Sequence, residues 1–353
     1  MIYWLTHPLK ESDRGRPHSS SSVSDRTINR LCLEVCKTIL QTKENMIAAD
    51  TPIASQAEDV LVTIVVVTYN SARYIIQTLE SVAHQSYRRL QLIISDDCSQ
   101  DDTPQLCRQW VQSNQERFAE ALFIQTPANG GIVANYNWAL QQVRGQWVKY
   151  IAGDDLLQPQ CINRLMDHAQ SGAHFYTSDY IQLLEESGKQ RLLRCNLPTA
   201  SARKQLCSML LYANIIHGCS LFLHVATLRQ LGGFDSRFPM IEDYPIAMRF
   251  LTAGQRIEIV AEPLVVWRSH ADSVSRSSKS FEESIYSAIW HYARQQCLRK
   301  GMPLHRYNYW VDEQIYRHPS RRLTNYLLRC IDLVHWKRKV LPPQRTIVLP
   351  FES

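Results

Sequence analysis

The fold is decided by one stretch of the sequence, residues 62–103, which reads VTIVVVTYNSARYIIQTLESVAHQSYRRLQLIISDDCSQDDT. Val62 to Val67 is a nearly continuous β-branched run with the length of a buried strand. Apolar residues on one stripe predict a helix from Ala72 to His84, and Leu90 to Ser95 predicts a second buried strand. A strand, a helix and a strand in this order predict a parallel α/β sheet, in which ligands bind beyond the carboxyl ends of the strands.

Outward from this stretch the alternation continues. Helices are predicted at Thr103 to Ser113 and Gly131 to Val143, and strands at Leu122 to Gln125 and Trp147 to Ala152. A further helix is predicted from Leu156 to His168. The repeated pattern favours one sheet with helices on both of its faces.

Composition excludes several classes of protein. The chain has 353 residues, of which 45% are hydrophobic and 20% charged, as in soluble globular proteins. No apolar stretch approaches the roughly 20 residues of a spanning helix. Ten cysteines without a paired Cys-x-x-Cys motif are typical of reduced cytosolic proteins, which predicts a cytoplasmic location. The net charge of +6 comes from the C-terminal region, and no nucleic-acid-binding motif is present, so nucleic acid is not a predicted partner.

Polar residues follow the first two strands, where ligands are expected. Thr68 to Arg73 contains no glycine, which argues against a dinucleotide-binding enzyme and against the phosphate loop of a nucleotidyltransferase. Asp96 and Asp97 begin an acidic cluster that can accept hydrogen bonds from a nucleobase or a ribose. Helix capping by Ser99 and Asp101 is the alternative interpretation.

Two adjacent carboxylates, Asp154 and Asp155, follow the fourth strand. They repel each other unless a cation or a hydrogen-bond network holds them. A hard divalent ion such as Mg²⁺ or Mn²⁺ would resolve the conflict. A turn followed by a helix cap is the alternative.

Together these segments resemble family 2 of the inverting nucleotide-sugar glycosyltransferases, which have the GT-A fold. The resemblance covers about residues 60–276, and its motifs occur in order: Val65 to Asn70, Asp96 to Thr103, Asn129 to Gly131, and Gly145 to Val148. It implies an α/β GT-A fold, a Rossmann-like and mainly parallel sheet flanked by helices, with a helical C-terminal extension.

The second half of the chain extends the resemblance. A Gly-Gly-Phe-Asp turn at residues 232–235 precedes Glu242 and Asp243. The resemblance implies that Asp243 is the general base for an acceptor hydroxyl and that Glu242 shapes the site beside it. The alternative is an acidic pair that caps the helix from Tyr244 to Leu251.

A last motif, Trp267-Arg268-Ser269-His270, is similar to the family's aromatic-Arg-x-His segment. The resemblance implies a site for Mg²⁺ or Mn²⁺ whose ligands are Asp154, Asp155 and His270. Which of Asp154 and Asp155 binds the metal stays open, because Ala152 stands where many members have an acidic residue. The residues implied to bind the nucleotide sugar are Thr68, Tyr69, Asn70, Asp97, Asn129, Gly131 and Asp154.

The function implied is that of a metal-dependent inverting glycosyltransferase. It would move one hexosyl or N-acetylhexosaminyl group from a nucleoside-diphosphate sugar, with a UDP-sugar favoured, to a hydroxyl of a glycan or lipid-linked acceptor. The absence of a Gln-x-x-Arg-Trp motif favours single additions over processive synthesis. Bacterial surface polysaccharide or lipopolysaccharide assembly is the expected pathway. A catalytically silent nucleotide-sugar or glycan-binding module of the same fold is the alternative.

Three regions are predicted along the chain. Residues 1–58 form a poorly structured or helical N-terminal extension, within which Met46 is an alternative start, and residues 59–280 form the GT-A domain. Residues 281–353 form a basic helical region. A basic amphipathic helix within residues 320–340 has two open interpretations: peripheral contact with the inner face of the cytoplasmic membrane, or packing on the catalytic domain.

Overall fold

The computed structural model describes residues 60–212, 216–271, 273, 284, 287–289, 291–292 and 346–348. The strands are β1 Val62–Thr68, β2 Leu90–Asp96, β3 Glu120–Gln125, β4 Trp147–Ala152, β5 Leu156–Leu157, β6 Phe175–Leu184, β7 Lys189–Leu193, β8 Phe222–His224, β9 Ile257–Ser269 and β10 Thr346–Val348. The helices are α1 Ile75–Ala83, α2 Thr103–Asn114, α3 Ile132–Leu140, α4 Cys161–Ala169, α5 Ala202–Tyr212, α6 Val225–Gln230 and α7 Asp243–Thr252. A 3₁₀ turn at Gly218–Ser220 precedes β8.

The described strands form one mixed sheet with the order β10-β7-β6-β8-β4-β1-β2-β3, and β9 pairs with β5 and β6. β1 lies between β2 and β4 and runs parallel to both, and β2 runs parallel to β3. Thr68 is paired with Asp96, and Asp96 with Gln125. Because β1 to β4 end at the same edge, the polar segments that follow them are gathered there.

Both faces of the parallel strands are covered. Val62, Ile64 and Val66 of β1 pack in an apolar cluster with α1, whereas Val65 lies in a second cluster with α3 and α7. All four side chains are fully buried. A strand buried on both faces has no polar alternation, which explains why residues 62–67 read as a continuous apolar run.

The predicted fold is confirmed: a mainly parallel sheet between helices forms the first half, and the bounds of β1, β2 and β4 agree with prediction within one residue. The prediction of a helix from Leu156 was wrong at its start. Leu156 and Leu157 form β5 and pair with Val266 and Val265, and α4 begins only at Cys161. Pro159 explains the difference, because the residue before a proline is disfavoured in helical conformation.

Several predictions lie outside the part of the chain that the structure describes. They are the N-terminal extension at residues 1–58, the basic helix at 320–340 and most of the C-terminal region. Beyond residue 281, β10 pairs antiparallel with β7, and the side chains of Ala288 and Tyr292 are buried in the core. Within the described ranges, no helix is both long and apolar enough for a membrane span.

Candidate functional site

The turns after β1 and β2 are joined by hydrogen bonds. The Asn70 amide N–H donates to Ser99 Oγ, and Asn70 Oδ1 accepts from the Gln100 amide, both at 2.8 Å. Asn70 adopts the left-handed φ of 50° that this turn requires. The neighbouring Tyr69 remains 46% exposed. The joined turns therefore present an aromatic face at the carboxyl edge of the sheet.

Asp97 fixes the loop before α3. Its Oδ1 accepts from Thr126 Oγ1 and from the Gly130 amide, each at 3.0 Å, and its Oδ2 accepts from the Gly131 amide at 2.8 Å. Gly131 has a φ of 83°, and a Cβ there would lie 3.3 Å from the carbonyl oxygen of Pro239. The structure thus brings Asp97, Asn129 and Gly131 to the same edge as Thr68, Tyr69 and Asn70.

Asp154 and Asp155 have different environments. Asp154 Oδ2 lies 3.0 Å from His270 Nε2, and the Asp154 side chain is 27% exposed. Asp155 is only 2% exposed, and its Oδ1 accepts from the Arg268 amide at 2.9 Å. Burial, followed by the charge of Asp154, raises the pKa of Asp155 well above its usual range. The structure therefore brings Asp154 and His270 together and turns Asp155 inward.

The predicted metal site can be tested against this arrangement. His270 is buried, and its Nδ1 has no hydrogen-bond partner among the residues that the structure describes. Over those same residues, no three His, Cys, Asp or Glu side chains are grouped to hold an ion. Asp154 and His270 fit as a pair of ligands for Mg²⁺ or Mn²⁺, ions that usually take their remaining ligands from water and substrate phosphates.

His270 is supported by neighbouring side chains, of which sequence reasoning missed Tyr74 and Glu185. Its ring lies 4.8 Å from that of Tyr74, whose hydroxyl donates to Glu185 Oε2 at 2.6 Å. The Arg268 guanidinium lies 4.8 Å over the Tyr74 ring, and Arg268 Nε donates to the Asp154 carbonyl at 2.8 Å. Tyr74 and Glu185 are 111 positions apart, so only the fold shows that they meet.

Glu242 and Asp243 stand at the start of α7. Asp243 Oδ1 accepts from the Tyr244 amide at 2.6 Å, and the Glu242 carboxyl contacts the Cα side of Gly218. Glu242 Oε1 occupies the space that a Cβ at position 218 would need. Burial and the charge of Asp243 raise the pKa of Glu242 to about 8. Near neutral pH the Glu242 carboxyl therefore favours its protonated form.

α3 connects the two halves of the site. Asn137 Nδ2 donates to the Phe234 carbonyl and its Oδ1 accepts from the Phe234 amide, both at 2.9 Å, which fixes the Gly-Gly-Phe-Asp turn. Tyr136 is buried and stacks on Tyr150, with ring centroids 4.5 Å apart. Burial, and then the charge of Glu242, raises the pKa of Tyr136. The residue before Asn137 in α3 is thus a buried aromatic side chain that stays neutral.

The sequence of this chain is similar to a known protein family and to bacterial relatives. Residues 63–227 match the family model Glycosyl transferase family 2. EpsE of Bacillus subtilis (strain 168), which is assigned as a glycosyltransferase, is 27% identical over 250 residues, covering 70% of this chain and 86% of EpsE. An uncharacterized glycosyltransferase of Rickettsia typhi is 22% identical over 234 residues, covering 65% of this chain and 70% of the relative.

The fold also matches a solved structure. The crystal structure of residues 1–349 of S. aureus TarS, in complex with UDP-GlcNAc, aligns with a TM-score of 0.56 at 18% identity. The alignment covers 73% of this chain and 72% of that one. The shared feature is the curled, mainly parallel sheet between helices.

Proposed function

Because the chain belongs to glycosyltransferase family 2, with the GT-A fold, we propose that it transfers one sugar from a nucleoside-diphosphate sugar to an acceptor hydroxyl with inversion of the anomeric carbon. The observation that carries the proposal is that the two acidic pairs lie near each other, because the charges of Asp155, Glu242 and Asp243 all raise the pKa of the buried Tyr136. The pair that contains Asp154 suits the diphosphate of a donor, and the pair that contains Asp243 suits an acceptor hydroxyl.

Asp243 is the proposed general base. With the pKa of Glu242 raised to about 8, Glu242 stays protonated near neutral pH, and the Asp243 carboxylate would accept the proton of the attacking hydroxyl. Direct attack on the anomeric carbon opposite the leaving nucleoside diphosphate inverts its configuration. Glu242 keeps the pair at a single negative charge and packs against Gly218.

Asp154 and His270 are the proposed protein ligands of Mg²⁺ or Mn²⁺, and Asp155 supports Asp154 from within. When bound, the ion would neutralise charge on the diphosphate leaving group. Arg268 holds the Asp154 carbonyl and the Tyr74 ring, so the two ligands are oriented by neighbouring side chains.

The proposed nucleobase site lies at the joined turns after β1 and β2. The exposed Tyr69 ring would cover one face of the base, and Thr68 and Asn70 would line the site beside it. Asp97, with its loop residues Asn129 and Gly131, would reach the base edge or the ribose. A UDP-sugar that carries a hexosyl or N-acetylhexosaminyl group is the favoured donor, which the TarS complex with UDP-GlcNAc supports.

The acceptor is proposed to be a glycan or a lipid-linked glycan in bacterial surface polysaccharide or lipopolysaccharide assembly. The relatives of this chain in Bacillus and Rickettsia support a bacterial setting. A single addition per binding event is proposed, because the motif of processive synthases is missing from the sequence.

Calorimetric titration tests the donor site. UDP, GDP, TDP and ADP are titrated with and without Mn²⁺ into the wild type, Asp154→Ala and the matched control Asp167→Ala, an exposed carboxylate on α4. One nucleotide should bind in a metal-dependent manner, and Asp154→Ala alone should weaken it about tenfold or more. Equal binding by both variants would contradict the assignment of Asp154.

Transfer assays test the chemistry. Asp243→Asn should retain nucleotide binding and lose about a hundredfold or more in kcat. NMR of the product should show inversion, and a retained anomer would overturn the mechanism. Nucleotide binding by a wild type that transfers no sugar to any acceptor of a glycan panel, and hydrolyses no donor, would identify a silent binding module instead.

A further inference from the structure

Lys149 of β4 is an ammonium group inside the sheet. The residue has no exposed surface, and its Nζ donates to three carbonyl oxygens, those of Tyr150 at 3.0 Å, Cys219 at 2.5 Å and Leu221 at 3.4 Å. A buried charge is costly unless its hydrogen bonds are made inside the protein. Burial lowers the pKa of Lys149, because the charged form loses its contact with water. The three carbonyl oxygens compensate this loss.

Two of the three carbonyls belong to one short segment beside the acidic pair. Cys219 is the central residue of the 3₁₀ turn Gly218–Ser220, and Leu221 follows that turn directly. Gly218, the first residue of the turn, carries no side chain where the Glu242 carboxyl lies. A displacement of this turn therefore moves the surface against which Glu242 packs.

We propose that Lys149 is a positioning residue for sugar transfer: it holds the Gly218–Ser220 turn against β4 and thereby sets the position of the Glu242–Asp243 pair. The inference rests on the proposed function of that pair. Lys149 contacts neither donor nor acceptor in this role and acts through the turn. Its removal should therefore lower the rate of transfer while it leaves nucleotide affinity unchanged.

The first test compares Lys149→Met, which keeps the aliphatic length, with Lys149→Arg, which keeps the charge and the donors. The matched control is Arg117→Met. Arg117 also donates to backbone carbonyls, those of Ala83, Gln85 and Tyr87 at 2.7 to 2.8 Å, but it precedes β3 and lies at the opposite end of the sheet.

Lys149→Met should lower kcat about tenfold or more and leave the donor KM and the nucleotide Kd within about threefold of wild type. Lys149→Arg should keep kcat within about threefold, and Arg117→Met within about twofold, even where both methionine variants lower Tm. Equal kcat for the two methionine variants would overturn the proposal.

A second variant reaches the same contact from the other side. Gly218→Ala places a Cβ in the space of Glu242 Oε1 without touching Lys149, so it tests the contact even if Lys149→Met fails to fold. It should lower kcat with unchanged nucleotide affinity. In a protein that carries both Lys149→Met and Gly218→Ala, the two losses of kcat should not add. Full additivity, or an unchanged kcat in Gly218→Ala, would refute the connection.

Hydrogen exchange tests, independently of activity, whether Lys149 holds the Gly218–Ser220 turn. Lys149→Met, and not Arg117→Met, should increase amide exchange in residues 218–223 and at the start of α7. If the wild type transfers no sugar, the proposed function fails, and exchange still decides whether Lys149 holds the turn. Unchanged exchange in Lys149→Met would show that Lys149 does not hold the turn, whatever the activity.

Discussion

Glu242→Gln should make the protein more stable at alkaline pH. The pKa of Glu242 is raised from the ordinary 4.5 to about 8 by burial and by the charge of Asp243. Glutamine has the shape of the protonated carboxyl and does not titrate. The substitution therefore removes the cost of ionising a buried group and keeps the contact with Gly218.

The sign and size follow from proton binding. Below pH 4.5 the carboxyl is protonated in both states, and its contribution is fully present. Between pH 4.5 and about 8 the unfolded chain releases the proton and the native protein keeps it, so the free energy of unfolding falls by about 1.36 kcal/mol per pH unit. Over this interval the wild type loses at most about 5 kcal/mol of unfolding free energy. Glu242→Gln does not lose it, because glutamine does not titrate.

Urea denaturation between pH 5 and 8.5 measures this difference. The matched control is Glu262→Gln, because Glu262 is 46% exposed in an ion pair with Arg164. The control should follow the wild type, whereas Glu242→Gln should lose less stability as the pH rises. If the free energy of unfolding changed with pH in the same way for all three proteins, Glu242 would not be protonated as inferred. Because glutamine mimics the protonated carboxyl, transfer at pH 7 should also fall less in Glu242→Gln than in Asp243→Asn.

Two further predictions concern the Gly-Gly-Phe-Asp turn at residues 232–235, with Gly254 as the comparison for the first. Gly254→Ala, at a φ of 84° with no atom within 4 Å of the new Cβ, should lower the free energy of unfolding in urea by about 1 kcal/mol. Gly233→Ala also brings its Cβ to 2.7 Å from Asn137 Oδ1 and should cost at least about 1 kcal/mol more. Equal losses would contradict the contact. Tyr292→Phe removes a 2.8 Å hydrogen bond to Asp235 and should cost about 1 to 2 kcal/mol at pH 7. Side-chain hydrogen bonds outweigh burial and lower the pKa of Asp235 from 3.8 to about 2, so in thermal unfolding this cost should shrink as the pH falls through that range, and a constant cost would count against it.

The parallel half of the fold could be predicted from the sequence because its signals are local. Residues 62–67 and 90–95 are apolar throughout because helices cover both faces of their strands. The edge that gathers Asn70, Asp97 and Asp154 follows from parallel pairing alone. The antiparallel part, β6 to β8, was not predicted: β6 pairs with the distant β8, Phe175 opposite Leu223, and the local hairpin of β6 and β7 was missed.

The candidate site was predictable in its residue types and not in their environments. The sequence shows Asp154 beside Asp155 and cannot show which carboxylate faces inward, because the inward one is chosen by the Arg268 amide, 113 positions away. Lys149 was missed for a similar reason. In the sequence it interrupts an apolar strand, and only the fold supplies the carbonyls of Cys219 and Leu221 that satisfy it.

Asp154 and Asp155 are neighbours with different exposure, a division that Asp96 and Asp97, which are both buried, do not share. Adjacent side chains leave the backbone in different directions, so Asp154 can face the open edge of the sheet while Asp155 points inward. Asp154 lies toward His270 while Asp155 is enclosed, and desolvation and the charge of Asp243 raise the pKa of Glu242. The raised pKa values of Asp155 and Glu242 favour their protonated forms, so each pair presents fewer charges than the sequence counts. An edge with four ionised carboxylates would repel a diphosphate. In the proposed mechanism, Asp154 would then serve the donor side and Asp243 the acceptor side without four like charges at one edge.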